Sequence, residues 1–291
     1  MVLVHACVMP HGAMVLDLTM PDLPDGAAEL HRANVKTAAA IAASEPDLIV
    51  LTTPHGMALD SAVGVYRHST IEGTAAWAGA WEDYTVSGEG DTEAADSLVD
   101  FVRGQGVDVA AITGPGVYAP LRWGEAVPMW FLQQSGVLVP DGSKVLIISW
   151  PTCRLQAREF TPVAKAFGRL LADWASALPR RVAVLASCDM SHAHPTPSGA
   201  LSIYTSPMYS NEDAAPELAE NFDTGVVKWA ETLGRGDVAE AAKHLDNNFS
   251  IVNEAKACGW TVCCLPCFLC HGCCVCFVQS LSLRTLCDAK C

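Results

Sequence analysis

Runs of apolar residues recur along the chain, and each is short enough to form one β-strand. The longest lie at residues 2–9, 48–53, 144–150 and 181–187, and a shorter run lies at 107–112. Apolar runs without polar alternation are typical of strands that are buried on both faces of a parallel sheet. The pattern therefore predicts a sheet whose central strands carry few polar side chains.

Segments with apolar residues at helical spacing separate these runs. They predict helices over residues 27–43, 93–104, 156–177, 215–233 and 237–245. Glu45-Pro46-Asp47 ends the first of them, because a residue that precedes proline is disfavoured in the helical region. Strands that alternate with helices predict an α/β fold, namely a three-layer α/β/α sandwich around a parallel-dominated mixed sheet.

The remaining segments are richer in turn residues. Residues 62–66 fit a further short strand, whereas the Gly/Glu/Asp-rich stretch 82–92 and the Gly/Pro-rich stretch 114–120 are predicted loops. Residues 195–214 form a long stretch rich in Pro, Ser and Asn. Long loops of this kind often cover an active site.

Histidines follow three of the predicted buried strands. The first two strands run into Pro10-His11-Gly12 and Pro54-His55-Gly56, and the strand 181–187 runs into Cys188-Asp189-Met190-Ser191-His192-Ala193-His194. Parallel strands end at the same edge of a sheet, where open α/β folds bind their ligands. We therefore expect His11 and His55 to lie close together at that edge.

Composition narrows the range of partners. The net charge is −14, the pI is about 4.9, and Lys and Arg form no block, so nucleic acid and anionic membrane surfaces are unfavourable partners. The chain shows no phosphate loop, no Gly-x-Gly-x-x-Gly and no Gly-x-Ser-x-Gly. No basic segment precedes the first apolar run, so we expect a cytoplasmic protein with a small-molecule ligand and no membrane contact.

Two histidines and one carboxylate on one face of a metal form the site of non-haem Fe(II) oxygenases. Three such ligands hold the ion and leave positions for a chelating substrate and dioxygen. His11 and His55 are the candidate histidine ligands. His192 is the candidate general acid/base, because imidazole exchanges protons near neutral pH. His194 is its competitor, or a residue that orients the loop at the substrate.

Five motifs, in this order and spacing, resemble the class III extradiol ring-cleavage dioxygenases of the protocatechuate 4,5-dioxygenase β-subunit type. The resemblance covers residues 1–262, the predicted catalytic domain. It implies that His11, His55 and Glu254 bind Fe(II) and that His192 is the acid/base residue. Without it, Glu254 would be read as a surface carboxylate near a helix start. The motifs are Met9-Pro10-His11-Gly12, Thr53-Pro54-His55-Gly56, Trp123-Gly124-Glu125-Ala126-Val127-Pro128, Ser187-Cys188-Asp189-Met190-Ser191-His192 and Asn253-Glu254-Ala255-Lys256.

The chain departs from the family pattern at one place. Many members carry Asp-His-Gly ahead of Val-Pro, whereas this chain reads Arg122-Trp123-Gly124. The metal ligands are unaffected, but a polar donor near the substrate is lost. Trp123 could stack on an aromatic ring, and Arg122 could pair with a substrate carboxylate.

The sequence thus predicts an Fe(II)-dependent extradiol dioxygenase that cleaves a catechol-type aromatic with O2. Two alternatives stay open: a non-catalytic binding or signalling protein on the same scaffold, and a zinc-dependent hydrolase with the same ligands. Whether the chain forms a homo-oligomer or needs a small partner subunit also stays open.

Residues 263–291 form an atypical Cys-rich tail. Nine of the 13 cysteines lie there, several in repeated Cys-x-x-Cys spacing that suits zinc or an iron–sulfur cluster. Residues 259–278 contain no charged side chain and are long enough for a membrane span, but Pro266, His271 and Gly272 oppose one. Alternatively, the tail replaces the last helix of related enzymes through an altered reading frame or splice choice.

Overall fold

The computed structural model describes residues 2–20, 23, 26–77, 79–114, 118–151, 157–192, 216–252 and 254–255. Three parts of the sequence predictions lie outside the described residues. They are the covering loop at 195–214, His194, and the Cys-rich tail at 263–291.

The described residues contain nine strands and six α-helices. The strands are β1 (Val2–Met9), β2 (Leu48–Thr53), β3 (Val63–Tyr66), β4 (Thr70–Thr74), β5 (Thr85–Glu89), β6 (Val109–Ile112), β7 (Tyr118–Leu121), β8 (Lys144–Ser149) and β9 (Arg181–Ser187). The helices are α1 (Ala27–Ala43), α2 (Thr92–Gly104), α3 (Trp123–Gln134), α4 (Ala157–Ala177), α5 (Pro216–Gly234) and α6 (Val238–Phe249).

Six strands form the main sheet, in the order β1-β9-β2-β8-β3-β6. All neighbouring pairs are parallel except β3 and β8, which are antiparallel. The parallel-dominated mixed sheet predicted from the apolar runs is therefore confirmed. No helix among the described residues is long and apolar enough to cross a membrane.

Side chains of β2 point alternately into two apolar layers. Leu48 and Val50 pack in a core with α2, α4, α5 and α6, whereas Ile49 and Leu51 pack in a second core with α1, α3 and the smaller sheet. All four are fully buried. Burial of each such side chain contributes about 1.5–3 kcal/mol. A strand buried on both faces explains the unbroken apolar run, and the three-layer sandwich is confirmed.

A smaller sheet in the order β5-β4-β7 corrects two predictions. Residues 82–92 were expected to be a loop but contain β5, and the expected loop 114–120 ends in β7. Along β5 only Val86 is buried, so this strand has no apolar run to reveal it. β7 contains Pro120, which usually marks a turn but is tolerated at the edge of a sheet.

Candidate metal centre

The sheet register brings the ends of three strands together. Met9 of β1 lies opposite Ser187 of β9, and Ala186 of β9 lies opposite Thr52 of β2. The next residues of each chain segment therefore leave the sheet at the same edge. The rings of His11 and His55 lie there with their centroids 4.6 Å apart and their planes at 89°.

The tautomer of His11 follows from its hydrogen-bond partners. The side chain is 1% exposed, and its Nδ1 lies 3.0 Å from the Ser187 hydroxyl. That hydroxyl has one proton and donates it to the carbonyl oxygen of Gly124 in a short hydrogen bond. His11 Nδ1–H must therefore donate to Ser187, which leaves the lone pair on Nε2. Metal-binding histidines are commonly held in this way.

Gly124 can accept this bond because of a proline one turn later in α3. In a regular helix the carbonyl of Gly124 would accept from the N–H of residue 128. Residue 128 is proline and has no N–H. The carbonyl is therefore available to accept from the Ser187 hydroxyl. The backbone of α3 thus fixes the orientation of His11 through Ser187.

His55 is neutral at physiological pH. Desolvation, followed by the nearby charge of His11, lowers the pKa of His55 to about 3. Its backbone N–H donates to Thr53 Oγ1 at 3.2 Å. Metal coordination requires a neutral ring with a lone pair on one nitrogen.

Two glycines allow the protein to pack closely around His55. A Cβ atom at Gly124 would lie 2.7 Å from the Cβ of His55, so only glycine lets the start of α3 approach this far. A Cβ atom at Gly56 would lie 2.6–2.7 Å from Glu125 Oε1, Ser149 Oγ and Tyr66 Oη. The Pro-His-Gly pattern at residue 55 therefore reflects close packing after the histidine.

Hydrogen bonds through Tyr66 and the buried Glu125 hold the turn after His55 in place. The Met57 N–H donates to the Tyr66 hydroxyl at 2.6 Å, and that hydroxyl donates to Glu125 Oε1 at 3.2 Å. Glu125 Oε2 accepts from the Arg122 N–H at 3.0 Å, which closes the N-terminus of α3. Desolvation raises the pKa of the fully buried Glu125 to about 7, and desolvation with the charge of Glu125 raises the pKa of Tyr66.

Asp189 is a site residue to which the sequence analysis assigned no role. Its Oδ1 accepts a hydrogen bond from the backbone N–H of His11 at 3.2 Å. Its Oδ2 lies 3.1 Å from His11 Nε2 and 3.9 Å from His192 Nε2. Although desolvation opposes ionisation, His11, His192 and His55 together hold the pKa of Asp189 well below its usual range. A carboxylate two residues after a buried strand, at the same edge as the histidines, was the available signal.

His192 is held at the same edge by two anchors. Its N–H donates to the carbonyl of Ala255 at 3.2 Å. The preceding residue, Ser191, donates to the buried carboxylate of Asp223 through both its N–H and its hydroxyl, each at 2.9 Å. Asp223 lies on α5, so this helix fixes the backbone on which His192 is placed.

Glu254 is the residue before Ala255, whose carbonyl accepts the hydrogen bond from the His192 N–H. Its Oε2 atom is buried. Among the described residues, however, no three His, Cys, Asp or Glu side chains are arranged as a ready metal site. The structure brings His11, His55, Asp189 and His192 together, whereas the convergence of Glu254 on the histidine pair stays a prediction.

The donor atoms nevertheless suit a divalent metal. His11 Nε2 is buried and makes no hydrogen bond among the described residues. His55 is neutral, and the adjoining carboxylate of Asp189 is ionised. Neutral imidazoles with carboxylate oxygen form a set that suits Fe(II) and Zn(II).

An aromatic wall borders His55. The Trp123 ring lies 5.1 Å from the His55 ring, and the Trp77 ring lies 4.3 Å from Trp123. The exposed Arg122 guanidinium lies 5.7 Å from the centre of the Trp123 ring. The structure thus places Arg122 and Trp123 beside the candidate metal centre and adds Trp77, which the sequence pattern did not reveal.

Fold and site together define an α/β sandwich protein with a histidine- and carboxylate-rich centre at the carboxyl edge of its sheet. The family model described as the catalytic LigB subunit of aromatic ring-opening dioxygenase matches residues 5–249, so the chain belongs to this family. The resemblance inferred from the motifs is confirmed. The family implies aromatic ring-cleaving dioxygenase activity, and its members are generally metal-dependent.

One solved structure with a similar fold is that of the uncharacterized protein JW3007 from Escherichia coli K12. The match covers 91% of this chain and 87% of that protein, with 14% sequence identity and a TM-score of 0.46. At this level the likeness says nothing about function. No curated protein matches the chain significantly.

Proposed function

We propose that this protein is a non-haem Fe(II)-dependent extradiol dioxygenase. It opens the ring of a catechol-type aromatic next to the two hydroxyls and incorporates both atoms of O2. The observation that carries the proposal is the pairing of His11 and His55, whose ring centroids are 4.6 Å apart, at the sheet edge in a chain of the ring-opening dioxygenase family.

His11, His55 and Glu254 are the residues proposed to hold the iron. The two histidines follow β1 and β2, the strands on either side of β9, and the hydrogen bond to Ser187 leaves the His11 lone pair on Nε2. Glu254 is assigned from the family resemblance. Bound Fe(II) would supply a common template for catechol and O2 and a path for electrons between them.

His192 is the proposed proton carrier. In this proposal its Nε2 accepts a proton from a substrate hydroxyl, and the Asp189 carboxylate, 3.9 Å from that nitrogen, stabilises the resulting imidazolium. The same atom returns the proton later in the reaction. The anchors through Ser191 and Ala255 hold the imidazole in place, which is the orienting contribution of the protein.

The aromatic wall is the proposed substrate-binding surface. Trp123 and Trp77 offer ring faces to an aromatic substrate, and the Arg122 guanidinium offers charge-assisted hydrogen bonds to a substrate carboxylate. His194 is proposed as a further substrate contact.

Anaerobic loading with Fe(II), followed by air and a panel of catechols, tests the proposal. We expect O2 uptake together with the yellow absorbance of a ring-opened semialdehyde, and loss of both in a His192→Ala variant that retains iron. Full iron loading with neither signal for any catechol would exclude the dioxygenase. Hydrolysis of esters or amides by the zinc-loaded protein would instead favour the hydrolase alternative.

A further inference from the structure

The space between His11 and Asp189 contains two acceptor atoms that face each other. The Ser187 hydroxyl oxygen accepts a hydrogen bond from His11 Nδ1–H, so neutral His11 carries a lone pair on Nε2. The Asp189 Oδ2 atom lies 3.1 Å from that nitrogen. Two acceptors at this separation repel each other unless a proton or a cation lies between them.

A shared proton does not fit the geometry. Although Asp189 Oδ2 is within ion-pair distance of His11 Nε2, the nitrogen makes no hydrogen bond within the part of the chain that the structure describes, because the oxygen lies away from the direction in which an N–H would point. The ring is 1% exposed, so bulk solvent does not reach that nitrogen. The nitrogen therefore points toward a neighbouring position that Asp189 can also reach.

From this geometry we infer that Asp189 Oδ2 is a ligand of the metal that binds at His11 and His55 when no substrate is present. The inference rests on the metal centre of the proposed function. With metal–donor distances of about 2.1 Å, two donors 3.1 Å apart subtend about 95° at the metal. This is close to the right angle between neighbouring ligands of an octahedral ion.

A fourth protein ligand has a consequence for the reaction. His11, His55, Glu254 and Asp189 together would leave two of six positions, whereas a chelating catechol and O2 need three. Asp189 must then leave the metal when the catechol binds. In the substrate-free protein Oδ2 would occupy a position needed by O2 or the substrate, and after its release Asp189 would keep only the hydrogen bond that its Oδ1 accepts from the His11 backbone N–H.

Mn(II) is a suitable probe because it prefers oxygen and nitrogen ligands to the cysteines of the tail. Its binding to the full chain is followed by the electron paramagnetic resonance signal of free Mn(II). Coordinated water is counted by electron spin-echo measurements in D2O. Asp189→Asn keeps an oxygen for the His11 N–H but removes the negative charge. Asp96→Asn is the matched control, since Asp96 pairs with Arg67 at the surface.

We expect Asp189→Asn to weaken Mn(II) binding at least about tenfold and to add one water to the bound ion. Asp96→Asn should change neither quantity. Weaker binding with an unchanged number of waters would make Asp189 a positioning residue and overturn the inference. Failure of the native chain to bind Mn(II) would also overturn it.

A second measurement needs no variant. In the native protein labelled with 13C at the aspartate side-chain carboxyl, a bound carboxylate produces a 13C coupling to Mn(II), and a glutamate label reports Glu254 in the same way. Coupling from aspartate supports the inference, and coupling from glutamate alone overturns it. These results do not depend on turnover, so a chain that binds Mn(II) through Asp189 but cleaves no catechol would fail only the proposed function.

Discussion

Pro128 leaves the carbonyl oxygen of Gly124 without its helical donor, and the Ser187 hydroxyl donates to that oxygen instead. Ser187 in turn accepts from His11 Nδ1 at 3.0 Å. A proline inside a helix thus controls the tautomer of a histidine on the neighbouring sheet edge. The Val127-Pro128 pair, which belongs to a family motif, therefore has a physical role at the candidate metal centre.

Replacing Pro128 with alanine should weaken metal binding. The new N–H at residue 128 can bond to the Gly124 carbonyl, so the Ser187 proton becomes free to donate to His11 Nδ1 and the ring proton moves to Nε2. We expect Zn(II) or Mn(II) affinity to fall about tenfold. The stability of the metal-free protein should not fall by a comparable amount, since a helix-interior proline is itself unfavourable by about 3 kcal/mol.

The matched control is Pro162→Ala in α4, which removes another helix-interior proline. It should leave metal affinity unchanged. Equal affinities for the native protein and Pro128→Ala in a competitive chelator titration would show that Pro128 has no part in presenting His11.

Asp223→Asn should impair catalysis through the position of His192. The buried Asp223 carboxylate accepts two hydrogen bonds from Ser191, and asparagine can accept only one of them. We expect the free energy of unfolding to fall by about 1–3 kcal/mol. In steady-state catechol assays kcat should fall several-fold while KM changes little, because the displaced group acts on protons and not on substrate binding.

Asp237→Asn provides the comparison for Asp223→Asn. Asp237 caps α6 by accepting from the Glu240 N–H, and asparagine caps helices about as well as aspartate. This variant should retain both stability and kcat. A change in KM with an unchanged kcat in Asp223→Asn would contradict a role in positioning His192.

The buried Glu125 should make stability depend on pH. Its pKa is raised from 4.5 in the unfolded chain to about 7 in the folded protein, so the folded state binds more protons between these values. Stability from this group is therefore present below about pH 4.5 and decreases as the pH rises toward 7. The change is on the order of 3 kcal/mol.

His55 contributes the opposite slope, because its folded pKa of about 3 lies below the unfolded value of 6.5. The effect of Glu125 is therefore isolated by measuring the free energy of unfolding against pH for the native protein and for Glu125→Gln, and subtracting the second profile from the first. Urea unfolding in the presence of a chelator, which keeps both proteins metal-free, gives these free energies. The native protein should lose stability relative to this variant between about pH 4.5 and 7. Parallel profiles would show that folding does not raise the pKa of Glu125.

Arg122→Ala should change substrate preference. If the guanidinium pairs with a substrate carboxylate, its removal should weaken binding of carboxylated catechols about tenfold and leave uncarboxylated catechols unaffected. Competition binding to the metal-loaded protein measures both. Arg103→Ala is a control, since Arg103 bonds to the Val109 carbonyl within the β6 region. Unchanged relative affinities in Arg122→Ala would remove the carboxylate contact from the proposal.

Local sequence predicted the central strands of the main sheet well because they are buried on both faces. Leu48 to Leu51 are all apolar for that reason, and the same holds for most of β8 and β9. The strands of the smaller sheet escaped prediction because only part of each is buried, as at Val86 in β5. Their stability comes from pairing with distant segments, which no local pattern records.

For the candidate site, the sequence by itself determined which side chains leave the sheet edge. His11, His55 and His192 follow buried strands, and parallel strands have only one carboxyl edge. Asp189, Trp77 and the path from Pro128 through Ser187 to His11 were decided only by the tertiary structure. Their roles depend on distances between segments far apart in the chain, and packing in three dimensions sets those distances.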